Sequence, residues 1–406
     1  MEDAEVSGDG RRDGQWALKC GRERTRSNAR RPGFAQTNST ARRSLAVLSI
    51  NLPGAIAMHV KHLLSASVLA LATALIGGVL AAPAANAQTA KEPDTLTIAW
   101  LPNDSSDGLA GMRDEIASVI AKATGKKVEN KLTTDYAIAI AALENGQAQI
   151  GWFGANEYLT SHARDPKVIP LVVNTGPSGT LKDALYYSRL VVKKGEETKY
   201  ESNGQFNLDN IAGKRMSFVS TNSTSGFNMP AAAIVGQFKS DPKWKNLTFE
   251  DLAQGGEGHF FGQVVFGGSH QLSLVNALTG RADVAAVCDF LVTNYVKLVS
   301  GTDNTAGAVY EIKQDAAAPF SSLGGKQFVV IKSIPVLNPP VEVNSAYLSD
   351  KTMTAITDVL SSDEVAKDEK IFAPAGAKGS DFQAPARFVK VEDSWYDPMR
   401  KVLGIK

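Results

Sequence analysis

Cysteine is almost missing from this chain. Cys20 and Cys288 are its two thiols in 406 residues, and Cys20 lies in an N-terminal stretch set apart below. No internal disulfide can brace the main body, so its hydrophobic cores must hold it together. Cys288 sits in the apolar run Val284-Ala-Ala-Val-Cys-Asp289 and reads as a small buried hydrophobe rather than a nucleophile. Charge of one sign is also lacking: 43 Lys and Arg face 42 Asp and Glu. The first 87 residues hold 11 of the basic side chains and 6 of the acidic ones, which leaves the remainder net acidic by four. A mildly acidic body argues against nucleic acid as a partner.

Catalytic signatures are sparse. The chain has no Walker A sequence and no Gly-x-Ser-x-Gly elbow. Gly256-Glu-Gly-His-Phe-Phe-Gly262 resembles a dinucleotide fingerprint only loosely, because it does not follow a strand and open a helix. His162, His259 and His270 lack metal-ligand spacing, and His259 reads as a loop histidine. No cofactor and no metal is expected, and the chain is not expected to be an enzyme.

The one long apolar run is near the front. Met58-His-Val-Lys-His62 is a short basic start, Leu63 to Ala82 is apolar, and Ala85-Asn-Ala87 precedes Gln88 as a small-residue cleavage site. Residues 58–87 therefore read as a secretory signal peptide, with a retained membrane anchor as the competing reading. Such a peptide works from the chain terminus. Residues 1–57, rich in Arg, Gly, Ser and Thr, are accordingly expected to be a spurious or disordered extension ahead of a true start at Met58. The mature protein would begin at Gln88 and lie in the periplasm.

From Asp94 onward strands and helices alternate, and no repeat of fixed period appears. Strands are expected at 95–100, 127–132, 148–153 and 168–173, separated by helices at 109–123, 136–144 and 155–162. This pattern predicts parallel βαβ units in an α/β sheet covered on both faces. A longer strand, 184–192, leads to a second series: a short helix near Leu208, a strand at Met216, helices at 231–238, 270–278 and 290–299, and strands at 284–287 and 326–332. Helices at 347–360 and 394–402 close the chain. The strands at 185–192 and 326–332 are expected to be crossings between two lobes, the second inserted into the first. Lobe 1 would comprise 94–190 and 325–406, and lobe 2 would comprise 191–324. Ligands of open α/β sheets sit beyond the carboxyl ends of the strands, here in a cleft between the lobes.

The stretch from Arg215 to Phe238 carries the chemistry. A short strand, Met216 to Ser220, is followed by Asn222-Ser-Thr-Ser-Gly226 and then by an Ala-rich helical segment with Pro230 in its first turn. The first N–H groups of a helix lack internal partners and carry the positive end of the macrodipole. Three hydroxyls and a glycine there make an anion socket that needs no Lys or Arg. On these residues alone an ordinary Ser/Thr cap explains the pattern as well.

Further motifs favour the socket. Gln149-Ile-Gly-Trp-Phe-Gly154, Tyr187-Ser-Arg-Leu-Val-Val192, Asn222-Ser-Thr-Ser-Gly226 and His270 through Val284-Ala285 resemble, in order and spacing, the substrate-binding proteins of phosphonate/phosphate/phosphite ABC importers. The resemblance spans roughly Leu96 to Val402 and implies a two-lobe type II periplasmic-binding-protein fold. It implies that Ser223, Thr224 and Ser225 donate to the oxyanion, and that Tyr136 and His270 reach the ligand. Phe153 stands where some relatives carry a tyrosine, so one hydroxyl donor is missing. Asp289 falls near one of two carboxylates that hold the amino group in aminophosphonate binders, and nothing near 321–325 matches the other. The implied protein is a monomer that captures a small phosphorus oxyanion and docks on the membrane permease of an ABC importer. The alternative is a periplasmic oxyanion sensor acting with a membrane histidine kinase. An enzyme acting on a phosphorylated small molecule is a weaker third.

Overall fold

Leu96, Ile98 and Trp100 alternate with Thr95, Thr97 and Ala99, and this period of two sets the first strand on edge between two apolar layers. The computed structural model describes residues 91–104 and 107–405. The proposed leader and the 1–57 extension lie outside them. In chain order the main elements of the first half are β1 (Thr95–Trp100), α1 (Ala110–Thr124), β2 (Lys127–Leu132), α2 (Tyr136–Glu144), β3 (Ile150–Trp152), α3 (Ala155–Arg164), β4 (Val168–Asn174) and β5 (Leu185–Lys193). A small hairpin of β6 (Glu201–Ser202) and β7 (Gln205–Phe206) precedes β8 (Arg215–Phe218) and α4 (Met229–Phe238).

The second half continues with α5 (Phe249–Leu252), β9 (Gln263–Phe266), α6 (His270–Leu278), β10 (Val284–Cys288), α7 (Phe290–Thr293), β11 (Val296–Ser300), β12 (Val309–Ile312) and β13 (Gln327–Leu337). After β14 (Pro340–Asn344) come α8 (Asp350–Leu360), α9 (Asp363–Ala366), β15 (Phe372–Ala373), β16 (Phe382–Gln383), β17 (Phe388–Lys390) and α10 (Asp397–Leu403).

Two sheets organise these elements. The first has six strands in the order β17-β4-β14-β3-β1-β2, and the second has seven in the order β11-β12-β13-β5-β10-β8-β9. Both are mixed, not purely parallel as the alternation suggested. β14 runs antiparallel between β3 and β4, and β5 runs antiparallel to both β10 and β13. β5 and β13 lie in the second sheet along their whole length. The chain therefore passes between sheets just before β5 and again at Asn338–Pro339. Asn338 fastens these passages, its amide nitrogen donating to the carbonyl of Ala184 and its side chain to that of Asn174.

Each sheet is covered on both faces. Leu96, Ile98, Trp100, Val172 and Val341 pack against Ile116 and Ile120 of α1, while Ala99, Leu143, Phe153, Tyr158 and Val173 fill the opposite side. In β5 the alternation sends Leu190 and Val192 to one face of the second sheet and Val191 to the other. Truncating any one of these fully buried aliphatic side chains to alanine would cost about 2–5 kcal/mol. Two expected helices are absent: the residues around Leu208 form turns, and 290–299 splits into the one-turn α7 and strand β11. Among the described residues no helix is long and apolar enough to cross a membrane.

Candidate functional site

The hydroxyl cluster folds as one continuous helical start. Thr224–Asn228 form a single turn of π-helix that runs straight into α4, and Ser223 caps it, its hydroxyl accepting from the Gly226 amide at 3.1 Å. Wide turns of this kind recur at functional sites. Gly226 is required sterically, since a Cβ there would fall 2.4 Å from Val219. Asn228 braces the turn by donating to the carbonyls of Thr221 and Ser223. Ser188 of β5 donates to the carbonyl of Ser225.

Around this turn lies a cavity of about 50 Å³ between the two sheets. Ser223, Thr224, Ser225, Tyr136, Phe153 and His270 all line it. Asp289 does not. Its carboxylate accepts from the amides of Tyr187 and Phe290, capping α7 and stitching it to β5. Burial raises the pKa of Asp289, partly opposed by Arg189.

Elements of the two sheets meet across the cavity. Asn103, just beyond the carboxyl end of β1, donates to the Tyr136 hydroxyl at 2.5 Å and accepts from the His270 amide at 3.1 Å. Asn156, at the start of α3, donates its amide to Thr224 Oγ1 at 2.8 Å and its side chain to the Asn222 carbonyl. The Thr224 hydroxyl in turn donates to Glu157.

His270 has a defined tautomer. Its Nδ1 accepts from the Cys288 amide at 2.9 Å, so the proton of the neutral ring sits on Nε2. Burial pushes its pKa down to about 3 and keeps the ring neutral. It contributes a hydrogen-bond donor here, not a positive charge. Cys288, at the cavity wall, is a free buried thiol whose pKa burial raises well above the ordinary range.

Among the described lining residues there is no Lys or Arg, but there are three carboxyls: Asp104, Glu157 and Asp381. Burial pushes Glu157 up to about 7 and Asp381, partly offset by Arg113, likewise to about 7. Asp104 is raised by burial and by Asp381, against the pull of Arg113. Trp100 and Trp152, paired in register on neighbouring strands, stack at 5.0 Å and form an aromatic wall.

Of the aromatic residues Trp100, Trp152, Tyr186 and Tyr187, which suit core or cleft wall by their apolar settings in the sequence, the first three line the cavity and Tyr187 does not. Sequence reasoning passes over Asn103, Asp104, Glu157 and Asp381. The rule of carboxyl-terminal strand ends points to Asn103 and Asp104, and Glu157 follows the Trp-Phe-Gly motif by three residues. No local signal marks Asp381. No group of three His, Cys, Asp or Glu side chains converges on a metal position among the described residues.

Comparison with known proteins gives these features a context. Residues 98–396 match the model of a family described as the phosphonate periplasmic substrate-binding protein of ABC transporters. The phosphate-import protein PhnD of Mycolicibacterium smegmatis is 27% identical over 245 residues, covering 56% of this chain and 68% of that protein. Two solved structures superpose with a TM-score of 0.54 at 17% identity. PhnD1 of Prochlorococcus marinus, in complex with methylphosphonate, matches over 76% of this chain and 97% of its own. A binding protein of an ABC phosphonate transporter from Pseudomonas aeruginosa matches over 77% and 86%. These likenesses establish the type II periplasmic-binding-protein fold.

Proposed function

The chain belongs to the phosphonate-binding family of periplasmic substrate-binding proteins of ABC transporters, a family of solute binders and not of enzymes, and from that membership we propose that it captures a small phosphorus oxyanion for import. The observation that carries this reading is the Ser223–Ser225 turn. These three residues, at the start of the helical segment that runs into α4, line a cavity that the neutral His270 and Tyr136 also line.

Size favours a small ligand. A site that holds one water needs roughly 10–15 Å³, so about 50 Å³ favours a small anion over a bulky one. Hydrogen bonds to a charged group contribute about 1.5–3 kcal/mol each. Four or five of them, less ordering costs, leave about −8 kcal/mol, a micromolar dissociation constant. Export through the leader at 58–87 and delivery to a membrane permease belong to the same proposal.

Purified protein is expected to be stabilised by at least one of phosphate, phosphite and methylphosphonate in a thermal-shift panel. A ligand at 100 times its dissociation constant adds about 2.7 kcal/mol. A flat response to all three would overturn the reading.

Bonds at Asn103–His270 and Thr224–Glu157 join elements of the two sheets beside the cavity. We expect hinge closure on binding, about the passages at 175–184 and 338–339. Small-angle scattering should give a smaller radius of gyration with saturating ligand, and an unchanged profile would count against a cleft site.

A further inference from the structure

The Thr224 hydroxyl is central to the oxyanion socket, yet its one proton is already committed. Thr224 Oγ1 accepts from the Asn156 amide at 2.8 Å and donates to Glu157 Oε2. A hydroxyl has a single donor, so in this arrangement it cannot also donate to an anion. Turning the proton toward a ligand would strip an ionised, fully buried carboxylate of a hydrogen bond, which is costly. A proton on Glu157 removes the conflict. The carboxylic acid then donates to Thr224 Oγ1, whose two lone pairs serve Glu157 and Asn156 and whose own proton is free for the ligand.

The contact is built into the fold. Gly154 leaves room for it, because a Cβ there would lie 2.4 Å from both Glu157 Oε2 and Thr224 Oγ1. Resting on the oxyanion-capture reading, we propose that Glu157 is a specificity-determining residue of the socket: it takes up one proton as the oxyanion binds, so that the complex carries one negative charge fewer than its separated parts.

The surroundings assign this role to Glu157. The titratable groups facing it are Tyr136 from α2, Tyr186 from β5 and Glu342 from β14. Burial raises all three well above their ordinary ranges, which favours their uncharged forms. No cation is among the groups that shift Glu157. Its pKa of about 7 puts it at the edge of protonation before any anion arrives, and an anion beside it raises that pKa further. Asp381 titrates in the same range but sits against Asp104 and Arg113. Its contribution is common to wild type and to any Glu157 variant.

The test compares wild type with Glu157→Gln, whose amide can donate to Thr224 as the protonated acid would. Methylphosphonate is the probe, or inorganic phosphate should that bind more tightly. Calorimetric titration at pH 8, in buffers of different ionisation enthalpy, counts protons taken up. Wild type is expected to take up close to one more proton per ligand than the variant, the ligand's own titration cancelling in the difference. Its dissociation constant should also rise, relative to that of Glu157→Gln, by up to about tenfold per pH unit above 7. Equal proton counts with a measurable affinity in both proteins would overturn the proposal and leave oxyanion capture standing. Absence of binding by wild type would overturn both.

Should Glu157→Gln fail to fold, Thr224→Val tests the hydroxyl route, since it keeps Glu157 beside the anion but removes the hydrogen bond that holds it ionised before the ligand arrives. Proton uptake at pH 8 clearly below wild type supports the linkage through the Thr224 hydroxyl, and undiminished uptake refutes it.

Discussion

Ser225→Asp is expected to abolish oxyanion binding. Ser225 is 3% exposed, lines the cavity and lies in the turn that opens into α4. A carboxylate there occupies the seat of the anion and satisfies the same helix-start amides. Two like charges 4 Å apart cost about 4 kcal/mol at an effective dielectric of 20, close to a thousandfold in affinity, and Asp104, Glu157 and Asp381 add to the repulsion as they ionise. The fold should survive, because an acidic group suits a helix N-terminus and because the cap is the neighbouring Ser223. A merely structural turn predicts the reverse, a shifted melting temperature with unchanged affinity. Titration calorimetry with the tightest ligand of the panel and a melting curve on the same sample decide the matter. Wild-type affinity in Ser225→Asp would rule out the socket.

How far the sequence displayed all this depended on how local each feature is. β1, α1, β2 and α2 fall within a residue or two of their expected bounds, because period-two and period-3.6 patterns are written along the chain itself. β14 was not visible. Pro340–Asn344 becomes a strand only by inserting between β3 and β4, more than 160 residues away in sequence. The stretch 290–299 looks helical by spacing, yet Val296–Ser300 is drawn into an edge strand by pairing with β12, tertiary pairing overriding a local preference.

The site divides the same way. Ser223, Thr224 and Ser225 are adjacent, so a hydroxyl cluster at a helix start could be read directly. Asp104, Glu157 and Asp381 come from the end of β1, the start of α3 and the loop before β16. Their convergence, and hence the acidity of an anion site, exists only in the folded chain. Asp289, placed near the ligand by resemblance alone, neighbours the cavity residue Cys288, while its carboxylate accepts from the Phe290 amide and caps α7.

The last expected result concerns Glu342, a carboxyl in the middle of β14. It is 0% exposed, and neither of its oxygens has a hydrogen-bond partner among the described residues. Burial, with Glu157 and Glu144 adding like charge, raises its pKa well above the ordinary carboxylate range. A native pKa above the unfolded value means that this group's contribution to stability is fully present below about pH 4.5. It is lost as pH rises toward the native pKa, at about 1.4 kcal/mol per unit. Glu342→Gln carries no such penalty. Its melting temperature should match wild type near pH 4 and exceed it as pH rises, by no more than about 2–4 °C for each kcal/mol, the scale for chains of 150–250 residues. Were Glu342 instead an ionised partner in some stabilising contact, the variant would fall below wild type at pH 8, and the account of this carboxyl as a buried, unpaired group would fail. The comparison also bears on the ligand site, because a neutral Glu342 leaves Glu157 free of a second buried charge. If Glu342 ionised at pH 7, Glu157 would be held protonated to higher pH, and the proton uptake expected on binding would move upward with it.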